Sequence, residues 1–136
     1  MASISTEDAN LRATWGKWID EILWDHFCTL TFHYGATIDG AKRQFLKFIR
    51  RLDSRAQMAV EWFMVIERGP GGAVHVHALL RATDQLENRT ITEQWPNGRT
   101  DIRKYDPARG GAYYVTKQIA SMAVEYDISK GLTRFD

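Results

Sequence analysis

Two histidines separated by one residue, His75 and His77, lie in the stretch AVHVHALLR at 73–81. Alternate residues of a β-strand point to the same face, so a strand over this stretch would place the two imidazoles side by side. Two neutral imidazoles on one face can bind a divalent metal ion through their ring nitrogens. The alternative is a pair of ordinary surface histidines on a half-exposed strand, and the spacing alone leaves both interpretations open.

A carboxylate adds to this pattern. Glu67 ends a second β-like stretch, MAVEWFMVIE at 58–67, and the turn sequence GPGG follows at 69–72. A tight reversal there would pair the two stretches as a hairpin and bring Glu67 back toward the histidines. Two imidazoles and one carboxylate, with positions left open for substrate, are a known type of divalent-metal site. A solvated carboxylate at a strand end is the alternative, and Glu61, on the same face, is a secondary candidate.

Two adjacent tyrosines, Tyr113 and Tyr114, precede Lys117 in a segment that we predict to be helical from Pro107 to about Tyr126. At spacings of four and three residues, either phenol can share a helix face with the lysine. A nearby ammonium favours the phenolate, and tyrosine can then act as a covalent nucleophile. The alternative is an aromatic packing residue beside a surface lysine.

In this order, the three features resemble the motifs of the HUH endonucleases, specifically of their rolling-circle replication initiator (Rep) branch. Three stretches carry the likeness to the successive family motifs: CTLTFHY at 28–34, VHVHALL at 74–80 and YVTK at 114–117. The passage QWPNGRTDIRKY at 94–105 is similar as well. The resemblance covers most of the chain, from about Phe27 to Ser121.

The resemblance implies one domain over residues 1–136, with a ferredoxin- or RRM-like α+β fold in which helices flank a central antiparallel sheet of about five strands. It implies Mg²⁺ or Mn²⁺ held by His75, His77 and, by position, Glu67. The implied reaction is site-specific nicking of single-stranded DNA, in which Tyr114 attacks the scissile phosphate and forms a 5′-phosphotyrosine, with Lys117 orienting the phosphate. Reversal by a later 3′-hydroxyl would let the enzyme start and finish rolling-circle replication of a plasmid or virus.

Some residues depart from the family pattern. A second tyrosine often accompanies the nucleophile, but Gln118 stands at those positions, which predicts a single-tyrosine enzyme. The Tyr-x-x-Lys register favours Tyr114 over Tyr113. Relaxases usually carry three metal-binding histidines, and two histidines with Glu67 argue against that branch. A transposase with the same chemistry, and a catalytically silent RRM-like module that only binds nucleic acid, are the alternatives; the latter favours aromatic residues where this chain has histidines.

Basic side chains are candidate contacts to DNA phosphates. The predicted DNA-binding residues are Lys42, Arg43, Lys47, Arg50, Arg51, Arg99, Arg103 and Lys104. A basic helix face is also commonly a solvated surface, so both interpretations stay open. The expected partners are single-stranded DNA or an origin hairpin, together with a host helicase and polymerase, because the length leaves no room for a motor domain.

Hydrophobic periodicity predicts the elements that position these residues. In chain order they are a helix from about Ser5 to Trp24, a strand from Phe27 to Tyr34, a helix from Ile38 to about Asp53, hairpin strands at 58–67 and 73–81, β segments at Thr90–Gln94 and Arg99–Tyr105, and the last helix. Adjacent strands joined by turns predict an antiparallel sheet with helices packed on it.

Composition limits the function classes. The chain has 136 residues, 44% hydrophobic and 26% charged, with a net charge of +1, which excludes wholesale disorder. A single cysteine, Cys28, excludes an internal disulfide and a zinc site built from cysteines, and we interpret it, with His26 and His33, as structural. No apolar run approaches the ~20 residues of a membrane helix, and no signal peptide is visible. We therefore expect a cytoplasmic protein, or a nuclear one if the host is eukaryotic.

Overall fold

A computed structural model of the chain describes residue 19 and residues 21–109 and 123–129. Within these ranges the strands are β1 (His26–Leu30), β2 (Glu61–Arg68), β3 (Val74–Arg81), β4 (Thr100–Lys104) and β5 (Ala123–Ile128). Helix α1 (Ile38–Ala56) follows β1, and helix α2 (Asn88–Glu93) follows β3. The strands form one sheet in the order β4-β1-β3-β2-β5, and all neighbours are antiparallel. The predicted α+β fold with a five-stranded antiparallel sheet is confirmed.

Helix α1 covers one face of the sheet. It begins after the N-cap Thr37, whose hydroxyl accepts a hydrogen bond of 2.9 Å from the Gly40 amide, and ends at Gln57 in a left-handed conformation. Its apolar stripe is buried against β1, β2 and β3 and consists of Ala41, Phe45, Phe48, Ile49 and Leu52. The predicted helix is therefore confirmed and continues three residues beyond Asp53.

Alternation along the strands gives the sheet two different faces. The side chains of Val74, Val76, Ala78 and Leu80 join the core under α1, and we call this side the helix face. Leu79 packs on the other side with Phe27 and Phe63. His75 and His77 share the parity of Leu79, so they lie on this second side, which we call the histidine face.

The stretch predicted as a β segment at Thr90–Gln94 is wrong, because it lies in helix α2 and its C-cap. The β-branched residues there favour a strand, but only Ile91 needs to be buried, and one helical turn is enough to bury it in the core. An ion pair of 3.3 Å between Arg89 and Glu93, four residues apart, supports the helix on its exposed side.

The C-terminal end of the predicted last helix is also wrong. Residues Ala123–Ile128 form the edge strand β5, paired with β2. Lys42 of α1 binds Glu125 and Asp127 of this strand at 3.1 and 3.4 Å, which ties the helix to the sheet edge. The earlier part of the predicted helix, with Tyr113, Tyr114 and Lys117, lies outside the described residues.

The remaining element predictions are confirmed in part. The hairpin strands β2 and β3 and the strand β4 lie within two or three residues of their predicted bounds. Strand β1 ends at Leu30 rather than Tyr34, although the backbone amides of Thr31 and His33 still donate to β4-side carbonyls at 2.9 Å. Most of the predicted first helix lies outside the described residues, and residues 21–24 at its end are not helical. None of the helices in the described ranges is long and apolar enough to cross a membrane.

Buried His26 is expected to make the fold less stable in acid. Its side chain is buried beside Thr83, whose hydroxyl lies 2.7 Å from Nδ1. Burial lowers the pKa of His26, and this outweighs the opposing effect of Asp25. The unfolded state then binds more protons than the folded state, so the free energy of unfolding falls as the pH falls through 6.5 toward the lowered value.

Urea denaturation at about pH 7.5 and about pH 5 measures this effect. The variant His26→Asn keeps hydrogen-bonding groups but does not titrate, so it should lose less stability between the two pH values than the wild type. Other groups contribute to both proteins alike. An equal loss in the two proteins would show that His26 is not the source.

Candidate metal centre

The β2–β3 hairpin brings the predicted metal ligands together. Glu67 lies directly opposite His75, and Val65 lies opposite His77, so the three side chains project from one face near the hairpin end. The turn between the strands closes through a hydrogen bond of 2.7 Å from the Gly69 amide to the Ala73 carbonyl. Its two central glycines at 71 and 72 have φ values of 77° and 85°, which other residues rarely adopt. This turn sets the register that brings the carboxylate to the imidazoles.

One ligand atom from each of Glu67, His75 and His77 lies within 4.8 Å of the others. The distance from His77 Nε2 to Glu67 Oε2 is 3.8 Å, which is too long for a hydrogen bond. Two ligands of one Mg²⁺ ion, each about 2.1 Å from it, lie roughly 3–4 Å apart. The spacing of this pair therefore suits a shared cation better than a direct contact.

The ring of His77 is held in a defined orientation. Its Nδ1 lies 3.2 Å from the hydroxyl of Thr29, and its plane is nearly parallel to Phe27, with a centroid distance of 6.3 Å and an angle of 8°. Its Nε2 is buried and has no hydrogen-bond partner among the described residues. A proton on Nδ1, donated to Thr29, leaves the lone pair on Nε2, which is the tautomer that a metal ligand needs.

This unpartnered nitrogen tests whether the residues fit a metal. A buried polar atom without a partner costs about 1–3 kcal/mol, and a bound cation would remove that cost. Burial lowers the pKa of His77; the Glu67 carboxylate opposes this shift, and His75 adds to it. The neutral imidazole is therefore favoured near neutral pH, and two nitrogens with one carboxylate oxygen suit a divalent ion.

Other sequence candidates lie away from this group. Glu61 pairs with Arg81 at the far end of the hairpin, so the preference for Glu67 is confirmed. Cys28 and His26 are buried, in keeping with a structural role, and burial raises the pKa of the Cys28 thiol. The sequence analysis did not select Thr29 or Phe27, and its only signal for Thr29 was a place on the polar side of β1.

The predicted DNA-binding residues are divided between the two faces. Those of α1 lie on the helix that packs on the helix face, opposite the candidate metal centre: Lys42, Arg43, Lys47, Arg50 and Arg51. Lys42 is engaged by β5, and Arg51 donates to the Gln94 carbonyl at 3.2 Å. The exposed residues of this helix therefore face away from the histidines.

Strand β4 brings basic residues to the histidine face. Arg103 lies opposite Phe27, and Asp101 lies opposite Thr29, so both share the face of the candidate metal centre. Arg103 makes two hydrogen bonds of 3.1 and 3.0 Å with Asp101. Arg99 has the same parity and is exposed, whereas Lys104 lies opposite His26 on the other parity. Within the predicted set, Arg99 and Arg103 are thus the residues on the side of the imidazoles.

Comparison with known proteins agrees with this architecture. A solved structure described as the hypothetical protein ORF119 from Sulfolobus islandicus rod-shaped virus 1 is similar in fold, with a TM-score of 0.50 and 15% identity over 83% of this chain and 97% of that chain. No curated protein matches the chain in sequence. The family model of the replication-associated protein ORF2 matches residues 25–122, well over half of the chain. The chain therefore belongs to the ORF2 family of replication-associated proteins.

Proposed function

We propose that this chain is a divalent-metal-dependent, site-specific single-stranded DNA endonuclease and strand transferase of the HUH type, which starts and ends rolling-circle replication. Membership of a replication-associated family supports the biological role. The observation that carries the chemistry is the convergence of Glu67, His75 and His77 on one face of the sheet. A module that only binds nucleic acid has no use for a buried, unpartnered imidazole nitrogen aimed at a carboxylate.

The same three residues would hold Mg²⁺ or Mn²⁺. When bound, such an ion supplies Lewis-acid stabilisation of the charge that develops on the scissile phosphate. Thr29 and Phe27 orient the His77 ring, and the apolar side chains Phe63 and Leu79 exclude water from the sheet beside it. Arg99 and Arg103, on the same face, are proposed to contact neighbouring phosphates.

The topology of the described strands supports a nucleophile that reaches this face. Four antiparallel pairings separate β4 from β5, so the two edge strands are parallel and the connection between them is a crossover. The β1–α1–β2 connection is a second crossover in the same lateral direction, but its strands run the opposite way. Such crossovers are right-handed in about 98% of cases. Since α1 covers the helix face, we expect the β4–β5 connection, which contains Tyr114, to cover the histidine face.

In this proposal Tyr114 is the nucleophile. Its phenolic oxygen forms a bond to the scissile phosphorus while the bond from phosphorus to the 3′ oxygen breaks. The phenol proton passes to solvent, and the leaving oxygen takes up a proton and becomes a free 3′-hydroxyl. Lys117 is proposed to favour the phenolate and to orient the phosphate. Because one phosphate ester replaces another, a later 3′-hydroxyl can reverse the step and rejoin the strand.

The basic residues Lys42, Arg43, Lys47, Arg50, Arg51 and Lys104 are proposed to bind DNA beyond the nick. Strand separation and synthesis are proposed to depend on a host helicase and polymerase. Incubation with single-stranded oligonucleotides and Mn²⁺ tests the central proposal. We expect a protein–DNA adduct that survives denaturation and does not form in EDTA. Binding without any adduct would favour the silent module, and an adduct that forms equally in EDTA would contradict the role of the metal.

Replacing Thr29 with valine should weaken Mn²⁺ binding about 10- to 100-fold, because the hydroxyl holds the tautomer and orientation of His77. Calorimetric titration of the DNA-free protein with Mn²⁺ measures this effect without any enzymatic step. The variant Thr29→Ser retains the hydroxyl and should bind almost as tightly as the wild type. Thr100→Val, on the helix face of β4, is the matched control and should bind normally. Equal affinities of Thr29→Val and the wild type would contradict the positioning role.

A further inference from the structure

A cleft of about 240 Å³ opens between the chain that leaves β1 and the first turns of α1, away from the candidate metal centre. Its lining includes Tyr34, Gly35, Arg43 and Gln44. We infer that this cleft binds one nucleotide of single-stranded DNA, with the base stacked on Tyr34 and the phosphate at Arg43. The inference rests on the proposed function, which supplies a single-stranded substrate.

Tyr34 is an exposed aromatic side chain in a fixed position. Its ring is 53% exposed, and its hydroxyl donates a hydrogen bond of 3.1 Å to Asn97 Oδ1. It packs edge-on against Phe32 at 5.5 Å, and Phe32 packs edge-on against buried Trp95 at 5.2 Å. This row of rings connects the surface to the core, so little conformational entropy remains to be lost when a base stacks on Tyr34.

The opposite side of the cleft suits a phosphate. Arg43 is exposed on α1 and has no ion-pair partner among the described residues. The start of α1 adds positive potential, because the amides of a first helical turn point out of the helix. Gln44 is half-buried in the lining, and its amide can both donate to and accept from a base edge. An aromatic face, a guanidinium and an amide together match a nucleotide.

The cleft lies at the same end of the sheet as the candidate metal centre. Leu30, the last residue of β1, pairs with Val76, and so the chain leaves β1 beside His75 and continues to Tyr34. A single strand held at the imidazoles can therefore pass over this end of the sheet into the cleft. Tyr34 would then bind a nucleotide near the scissile phosphate rather than a distant part of the DNA.

Binding of an oligonucleotide of about ten nucleotides, followed by fluorescence anisotropy in EDTA, tests the cleft without the metal. We expect Tyr34→Ala to weaken binding about 5- to 150-fold, the equivalent of about 1–3 kcal/mol for one stacked base, and Tyr34→Phe to stay within a few-fold of the wild type. A Cβ at Gly35 would meet no atom within 4 Å, so Gly35→Leu should fill the cleft without disturbing the fold and should weaken binding as well. Unchanged binding by Tyr34→Ala and Gly35→Leu would overturn the inference.

The phosphate contact has its own test. Arg43→Gln should reduce the slope of log affinity against log salt by about 0.7, the value for one phosphate on a single strand. Lys47→Gln, one turn further along α1 and outside the cleft, is the matched control and should change the slope less. Equal effects of the two variants would overturn the cleft in favour of a diffuse basic helix.

The outcomes separate this inference from the proposed function. If the wild type forms a covalent adduct while the cleft variants bind DNA normally, the cleft is refuted and the endonuclease stands. If no adduct forms but Tyr34→Ala and Gly35→Leu still weaken binding, the cleft stands and the chain is a binding module.

Discussion

Tyr114→Phe should lose the covalent protein–DNA adduct, with a fall in yield of about 10⁴-fold or more. Phenylalanine keeps the size and packing of the ring but has no oxygen that can form a bond to phosphorus. Denaturing electrophoresis of the protein with a labelled oligonucleotide and Mn²⁺ measures the adduct. Mass spectrometry of the wild-type peptide then identifies the modified tyrosine.

Tyr113→Phe is the matched control, because it removes the neighbouring phenol and leaves Tyr114 in place. We expect this variant to form the adduct at close to the wild-type rate. Tyr114→Phe should still bind the oligonucleotide, which separates chemistry from affinity. Loss of the adduct in Tyr113→Phe alone would assign the nucleophile to Tyr113, and an adduct in the double variant would refute both.

His77→Ala should weaken Mn²⁺ binding by at least about 100-fold and abolish most of the nicking activity, because it removes a ligand rather than a residue that supports one. His77 is the most buried of the three candidate ligands, and its unpartnered Nε2 faces Glu67 at 3.8 Å. Calorimetric titration with Mn²⁺ and the adduct assay measure the two effects separately.

The control for this prediction is His33→Ala, which removes an exposed histidine outside the cluster of candidate ligands. It should bind Mn²⁺ and form the adduct normally. Thermal unfolding of both variants shows whether the fold is intact. Normal Mn²⁺ affinity in folded His77→Ala would sink the metal centre, whatever the state of the DNA reaction.

The imidazole pair could be predicted from the sequence because the two-residue period of a strand is a local property of the backbone. His75 and His77 share a face in any strand that contains them both. The turn sequence at 69–72 likewise predicts the hairpin, because its glycines adopt positive φ at little cost. The place of Glu67 beside the histidines then depends only on a short local register, and the structure confirms it.

Elements with weak local preferences were harder to predict. Residues 90–92 are β-branched or suited to strands, yet they form part of α2, because the surroundings of Ile91 reward one buried residue rather than a paired edge. The end of the predicted last helix pairs with β2 instead, since an antiparallel partner was available at the sheet edge. In both places a contact distant in sequence outweighed the local pattern.

The amino-acid order alone thus specified the five-stranded α+β architecture and the ligand types, since periodicity and turn chemistry act within a few residues. The support of His77 by Thr29 and Phe27 was decided by the pairing of β1 with β3, which joins residues almost fifty positions apart. The direction in which the basic side of α1 points was decided by the face on which the crossover helix packs. Such long-range pairings follow from the shared burial of whole strands, so no short stretch of sequence contains them.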